Sequence, residues 1–596
     1  MSDPRQPRTF RVQNLELGIS EDEAWLRKRA CQVLAVGEHE LRGFRIVRKA
    51  LDARRQGGRH RLRFVCHVDL LLDALPTAAG VEQALRAGRA REVGPPASLS
   101  LDAVPARLRR ESGFRVVIVG AGPAGLFAAL LLARNGVAVT LLERGPELST
   151  RSRAVAAFHR TRQVDPESNL LFGEGGAGTY SDGKIYTRVD DPLEVPLLEE
   201  LVACGAPPAI VYDSLAHIGT DRLHRVLPQL RAMLLDLGVE IFFRARIEGL
   251  VVEGEAGSLA PRRVRALLTN QGELGCDALL LAIGHSARDT WAMLATEGVQ
   301  FAAKSFQLGL RIEHPQNMID KARLGDSVEA RLLGAASYGL VARARNGVAA
   351  AHSFCMCPGG RVVASVSEPG LLCVNGMSNS RHSSPWATAA VVTTLAPEAF
   401  PLVLGELSQL FGSTGGAVGN SPDQLSDFCR PTQAGGFPLS PPLSGEAFLG
   451  VRLQRVLEQR FFTLGGSDYT APAQTAADFV AGRMSPATRR GSFLFNTTPA
   501  RLDLELPAAV RDALRHALAS FERTIPGYAG AEGVLVGIES RSSGPVRMLR
   551  DPETRRATGF ENLYPVGEGA GYAGGIMSAA LDGAHAARAL LLFPPK

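Results

Sequence analysis

The chain has 596 residues, 45% hydrophobic and 21% charged, with a mean hydropathy of +0.03. Such a composition excludes a disordered or collagenous chain and, at this length, predicts about two to four domains. The formal net charge of +6 is concentrated: residues 1–110 hold 21 Lys and Arg against 13 Asp and Glu, and the remaining 486 residues net −2.

Eight cysteines are too sparse for a disulfide framework. The start MSDPRQPRTF lacks an apolar signal region, and no apolar run approaches the roughly 18 residues of a membrane helix. A reducing, cytoplasmic setting without membrane attachment is therefore expected. Glycine is over-represented at 63 residues with no G-X-Y period, which directs it to turns and to loops that touch a ligand.

Residues 9–75 read as a small mixed unit. TFRVQNLEL alternates as a strand, and EDEAWLRKRACQVLAV has helical spacing, with Ser20 as the expected N-cap and Glu23 three residues on. FRIVRKALDA and RLRFVCHVDLLL then bracket a turn at Gln56-Gly57-Gly58. The stretch Arg42–Arg63 carries nine Arg or Lys against Asp52 alone, either a phosphate-binding face or a solvated or docked one. Residues 88–112, with Pro95, Pro96 and Pro105, read as a linker.

From Phe114 the pattern sharpens. FRVVIVGAGPAGLFAALLLARNGVAVTLLERG predicts strand, glycine turn, helix and a second strand ending in Glu143. Gly120, Gly122 and Gly125 have G-x-G-x-x-G spacing, and Pro123 and Ala124 open the helix. The three glycines permit a tight turn, approach of a pyrophosphate to the backbone, and close helix–strand packing. Glu143 stands where a carboxylate can accept hydrogen bonds from a ribose diol.

Three further segments favour FAD over NAD. FGEGGAGTYSDGK (172–184) offers backbone amides with little side-chain bulk, and includes Gly175, Gly176, Ser181, Asp182 and Lys184. LLLAIGH predicts a buried strand ending at Gly284 and His285. YPVGEGAGYAGGIMSAALDG returns as strand, Gly567, Glu568, glycine turn and helix beginning near Gly575 and Ile576. A second, distant strand–turn–helix suits a two-part FAD site, with the carboxylate on the ribityl chain and the helix N-terminus toward the flavin.

At VGAGPAG…ERG, FGEGGAGTYSDGK, CMCPGG, ESRSSGPVR and GEGAGYAGG the chain resembles the bacterial uncharacterised FAD-dependent dehydrogenases. These belong to the glutathione-reductase-type FAD superfamily and are distantly similar to aminoacetone-oxidase-like flavoproteins. The resemblance implies an adenine half-site of Gly120, Gly122, Gly125 and Glu143, with Arg144 and Arg151 near the phosphates. It implies an isoalloxazine half-site of Gly175, Gly176, Ser181, Asp182, Lys184, Glu568, Gly575 and Ile576.

The expected fold is α/β: a Rossmann-like FAD-binding domain (111–300 and 541–596), an inserted α+β substrate domain (301–540), and a small basic α+β domain at 1–110. Residues 300–540 contain no second βαβ unit with G-x-G-x-x-G spacing, so NAD(P)H is expected as a transient visitor at most. Candidates for chemistry are Cys357, His285 and Arg541, with Asn375, Arg381 and His382 for substrate binding. Of Cys355 and Cys357, one is expected in the core and the other on the pocket wall, a redox pair being the alternative. No metal site is predicted. The expected function is hydride transfer between a small organic molecule and FAD. The rivals are an RNA-modifying flavoenzyme that docks its substrate through the basic domain, and a flavin-binding redox sensor with little turnover.

Overall fold

The computed structural model describes residues 7–56, 59–72, 79–95, 97–187, 190–255, 260–412, 443 and 445–595. The predicted turn residues Gly57 and Gly58, and Pro96 of the predicted linker, lie outside them.

The N-terminal part is an antiparallel sheet in the order Leu41–Asp52, Arg63–Leu72, Arg8–Gly18, Ala90–Val93. Strand alternation turns Phe10, Val12, Cys66, Val68 and Leu70 inward, onto Leu26, Ala30 and Leu34 of helix Ala24–Leu34. Two expectations change here. The helix starts at Ala24 rather than just after Ser20, because the Gly18 N–H donates to the Glu21 carboxylate and the Ala24 N–H to Asp22. Ala90–Val93, inside the expected linker, pairs with Arg8–Gly18 and covers that strand's open edge.

The basic stretch of this sheet is extensively ion-paired. Arg11 and Arg45 converge on buried Asp69, Arg54 and Arg63 on Asp52, and Lys49 reaches Glu23. The same stretch is also docked. The Lys49 N–H donates to the Tyr212 carbonyl at 2.7 Å, and the Ser214 N–H to the Lys49 carbonyl at 2.9 Å. Ala53 and Leu62 pack against a different hydrophobic core.

A five-stranded parallel sheet follows, in the order Leu563–Pro565, Ala278–Leu281, Arg115–Val119, Ala138–Glu143, Glu240–Phe243. Its strands are continuous apolar runs such as VVIV and ALLL, as a sheet covered on both faces requires. Helix Pro123–Arg134 has ten of its twelve residues buried. It is internal, packed along helix Ile576–Leu592. The chain's last strand and helix therefore complete the layer that the G-x-G-x-x-G unit begins.

Between them lies a seven-stranded mixed sheet, ordered Val341–Ala342, Ala351–Cys357, Trp386–Leu395, Phe306–Pro315, Val534–Glu539, Ala471–Thr475, Thr497–Pro499. Helices Phe400–Gly412, Leu449–Leu464 and Ala508–Glu522 contribute to its core. A buried ion network joins it to the parallel sheet. Arg288, on helix Arg288–Thr296, and Arg541 both bind Glu458 on helix Leu449–Leu464, with contacts of 2.6–3.0 Å. No helix among the described residues is long and apolar enough to cross a membrane.

Candidate active site

A cavity of about 1190 Å³ opens at the carboxyl ends of the parallel strands, lined by Val119, Ala282 and Val566 among others. Open α/β sheets bind ligands at this edge. The volume exceeds the roughly 300–1,000 Å³ of pockets that hold one drug-sized molecule, so a dinucleotide and a small second ligand fit together.

One wall is backbone. At Gly120, where φ is 107°, a Cβ would sit 2.2 Å from the Ala282 carbonyl oxygen; at Gly125 it would sit 1.9 Å from that of Gly120. No side chain is tolerated at either point, and the helix presses its N-terminus onto the cavity through Gly122, Pro123 and Ala124. The free N–H groups and dipole there suit an anion. Glu143 ends the neighbouring strand and lines the cavity. Its carboxylate accepts the N–H groups of Ala121 (2.8 Å), Gly145 (2.9 Å) and Gly173 (3.0 Å). A carboxylate offers about four acceptor positions. Three organise the loops, and one remains for a hydroxyl.

The two arginines expected at the phosphates are committed elsewhere. Arg144 reaches the cavity edge, but every guanidinium nitrogen is engaged by Glu167 or Asp289 at 2.8–3.0 Å. Arg151 is fully buried and off the cavity wall. It donates to the carbonyls of Asn169 and Glu174, bracing the glycine loop from behind. Gly175 and Gly567 also pack behind the wall rather than on it, while Gly176, Gly284, Gly575 and Ile576 line it.

Glu568 and His285 line the same cavity, with His285 Nδ1 3.6 Å from the Glu568 carboxylate. Burial pushes the Glu568 carboxyl up to about 7, with Lys304 opposing. Burial, then Arg541 and Arg288, push His285 down to about 3. His285 is therefore neutral at physiological pH, and the contact is not an ion pair.

The opposite wall is made of side chains from distant segments. Lys184 pairs with Asp182, which also accepts from the Ser378 hydroxyl. Burial opposes the Lys184 charge, but Cys357, Cys355 and Asp182 outweigh it and keep the amine protonated. His217 and His382 stack with ring centroids 4.1 Å apart. Burial lowers both, His382 to about 4, so both rings are neutral. Gln307 Nε2 lies 3.2 Å from His352 Nε2. Among the described residues, the buried Gln307 Oε1 and the Nε2 atoms of His217 and His382 have no hydrogen-bond partner. Asn375 also lines this wall, whereas Arg381 is exposed and absent from it. His217, Gln307 and His352 carry no local sequence signal; only the fold brings them here.

Two expected chemical residues change role. Arg541 touches the cavity, but its nitrogens are spent on Glu458, Glu368, Ser367 and Ser286. It is an anchor of the ion network, and Glu539 pairs with Arg311 instead. Cys357 is fully buried and away from the cavity wall, while Cys355 lines it.

Comparison with known proteins agrees with this geometry. Residues 305–410 and 440–542 match the family described as FAD-dependent protein, C-terminal domain-like, and residues 114–164 match an FAD binding domain. A relative from Clostridium beijerinckii, named only as an uncharacterised protein, is 34% identical over 586 residues and 98% of each chain. Among solved structures, L-amino acid deaminase from Proteus vulgaris is 12% identical, covering 83% of this chain and 96% of its own, with a TM-score of 0.30. L-proline dehydrogenase from P. horikoshii is 10% identical, covering 81% and 94%, with a TM-score of 0.29. FAD is the cofactor, and a flavin's chemistry is electron transfer. The chain belongs to the family of FAD-dependent proteins that share this C-terminal domain, and it is an FAD-dependent oxidoreductase.

Proposed function

We propose that the protein transfers a hydride between a small polar organic molecule and FAD, with no resident nicotinamide. The observation that supports this reading is one continuous cavity with a backbone wall suited to a dinucleotide and a side-chain wall suited to a second, smaller ligand. When bound, FAD supplies the two-electron acceptor.

In this reading the helix N-terminus at Gly122–Ala124 binds the pyrophosphate, and Glu143 accepts from a ribose hydroxyl. Gly176, Ser181, Gly575 and Ile576 flank the ring system. Residues 301–540 act as the substrate domain that excludes water. Glu568, poised near neutrality, holds or releases a proton at its carboxyl oxygen beside Lys304. The Asp182–Lys184 pair, two neutral imidazoles and the Gln307 amide oxygen give the second ligand both donors and acceptors. Nucleic acid is not part of this reading, because Arg11, Arg45, Arg54 and Arg63 are already paired with carboxylates.

Anaerobic stopped-flow mixing with amines, alcohols, NADH and NADPH tests it. We expect an organic compound to bleach the flavin faster than either nicotinamide. Bleaching by NAD(P)H, with none of the organic classes reacting, would overturn it.

A further inference from the structure

We propose that Cys355 and Cys357 form a redox-active pair that exchanges two electrons with the FAD bound in the same cavity. The strand that carries them, Ala351–Cys357, is irregular where they lie. Phe354 faces Ala390 and Cys357 faces Thr388, so three steps on one strand match two on its partner. An extra residue of this kind bends a strand and re-aims side chains, often beside active sites. Cys355 itself has φ 43°, left-handed backbone that a residue with a Cβ rarely adopts. Residues two apart on a regular strand share one face. Here the bulge turns Cys355 to the cavity while Cys357 stays beneath it, fully buried.

The surroundings separate the roles of the two sulfurs. The Cys357 thiol donates to the Cys355 carbonyl oxygen at 3.3 Å, and this close contact, with the Lys184 and Arg311 charges adding to it, holds the Cys355 thiol well below its usual range. The same contact and burial hold Cys357 high. The pair thus shares one proton, carried on Cys357. Arg311 is fully buried; it donates to the Cys355 carbonyl at 2.6 Å and lies 3.6 Å from the Cys357 sulfur. An accessible thiolate backed by a buried thiol, flanked by cations, is the arrangement of an attacking and a resolving cysteine.

The step balances without a further reagent. The Cys357 S–H bond breaks, the Cys355–Cys357 S–S bond forms, and two electrons with the Cys357 proton pass to FAD. The negative charge of the Cys355 thiolate moves to the reduced cofactor. Run in reverse, the disulfide reoxidises the flavin. With substrate supplied, the pair is a second two-electron store behind the cofactor.

The test uses flavin-loaded protein, oxidised with diamide, desalted and titrated anaerobically with dithionite. We expect wild type to take up about twice the electrons per flavin that Cys355→Ser or Cys357→Ser takes up, since a disulfide adds one two-electron couple. Before titration the tryptic peptide 346–361, which holds both cysteines and no other, should be lighter by about 2 Da and resist alkylation; after titration it should carry two alkyl groups. Equal electron uptake in wild type and variants, with that peptide fully alkylated from the start, would overturn the pair. Because dithionite replaces the organic substrate, this outcome is independent of whether that substrate is found. The peptide readout on wild type holds even where a serine variant fails to fold.

Discussion

The two walls of the cavity are built by different means. The parallel-sheet wall is main chain: Gly120 and Gly125 are glycines because a Cβ would strike a carbonyl oxygen 2.2 or 1.9 Å away. The opposite wall is side chain: Lys184, His217, Gln307, Cys355 and His382 converge from segments far apart in sequence. A backbone wall recognises what all copies of a cofactor share, whereas a side-chain wall can change its ligand one residue at a time. Substitutions on the two sides should accordingly differ in kind, cofactor lost from one and turnover altered from the other.

The largest effect is expected from Gly125→Val. The added carbons collide with the Gly120 carbonyl, so purified protein should be colourless or insoluble, as flavin absorbance after denaturation will show; a yellow, folded variant would break the contrast. Next is Glu458→Ala, which takes a fully buried carboxylate from two buried guanidinium groups, Arg288 and Arg541, and leaves them sharing Glu368. Removing one partner of a buried ion pair costs about 3–5 kcal/mol, readable in urea unfolding. The Glu458 carboxyl, despite burial, is held well below its usual range by Arg288 and Arg541. Its contribution is present above the unfolded carboxylate range and fades as pH falls toward the depressed value.

A smaller effect with a definite sign belongs to Glu568. Its folded value near 7 lies above the ordinary carboxyl value of 4.5, so the fold favours the protonated acid. In flavin-free protein this contribution, on the order of 3 kcal/mol, is complete below pH ~4.5 and lost as pH rises through ~7. Thermal melts across that range should show the loss in wild type and not in Glu568→Gln. The smallest effect is expected from His382→Ala. It removes one ring of the 4.1 Å stack and should leave flavin content unchanged. We expect KM for the reducing substrate to rise about tenfold, a loss of about 1.4 kcal/mol. Loss of colour in this variant would instead tie the side-chain wall to the cofactor.

The same contrast explains what could be read beforehand. Close backbone approach demands glycine at fixed spacing, so Gly120, Gly122 and Gly125, the strand ending in Glu143 and the returning Glu568 segment were legible. Side-chain convergence leaves no such trace, and nothing local marks Gln307 or His217 as cavity residues. Charge near a motif misled: Arg144 and Arg151 sit beside the phosphate turn in sequence, yet Glu167, Asp289 and loop carbonyls claim them. The linker expectation failed where four residues with little strand character, Ala90–Val93, found an open sheet edge to pair with. That one of the two cysteines faces the cavity was expected; which one was hidden by the bulge, because register shifts are set by the partner strand.

The layer beneath the cofactor is closed by the last strand and helix, Leu563–Pro565 and Ile576–Leu592. On the ribosome, Val119 emerges some 440 residues before Leu563, an interval of roughly 20–90 s at ~5–20 residues per second. Throughout it the apolar helix Pro123–Arg134 has no C-terminal helix to pack along. Flavin capture therefore waits for the segment Leu563–Leu592, and a chain truncated before Leu563 is expected to purify without flavin colour.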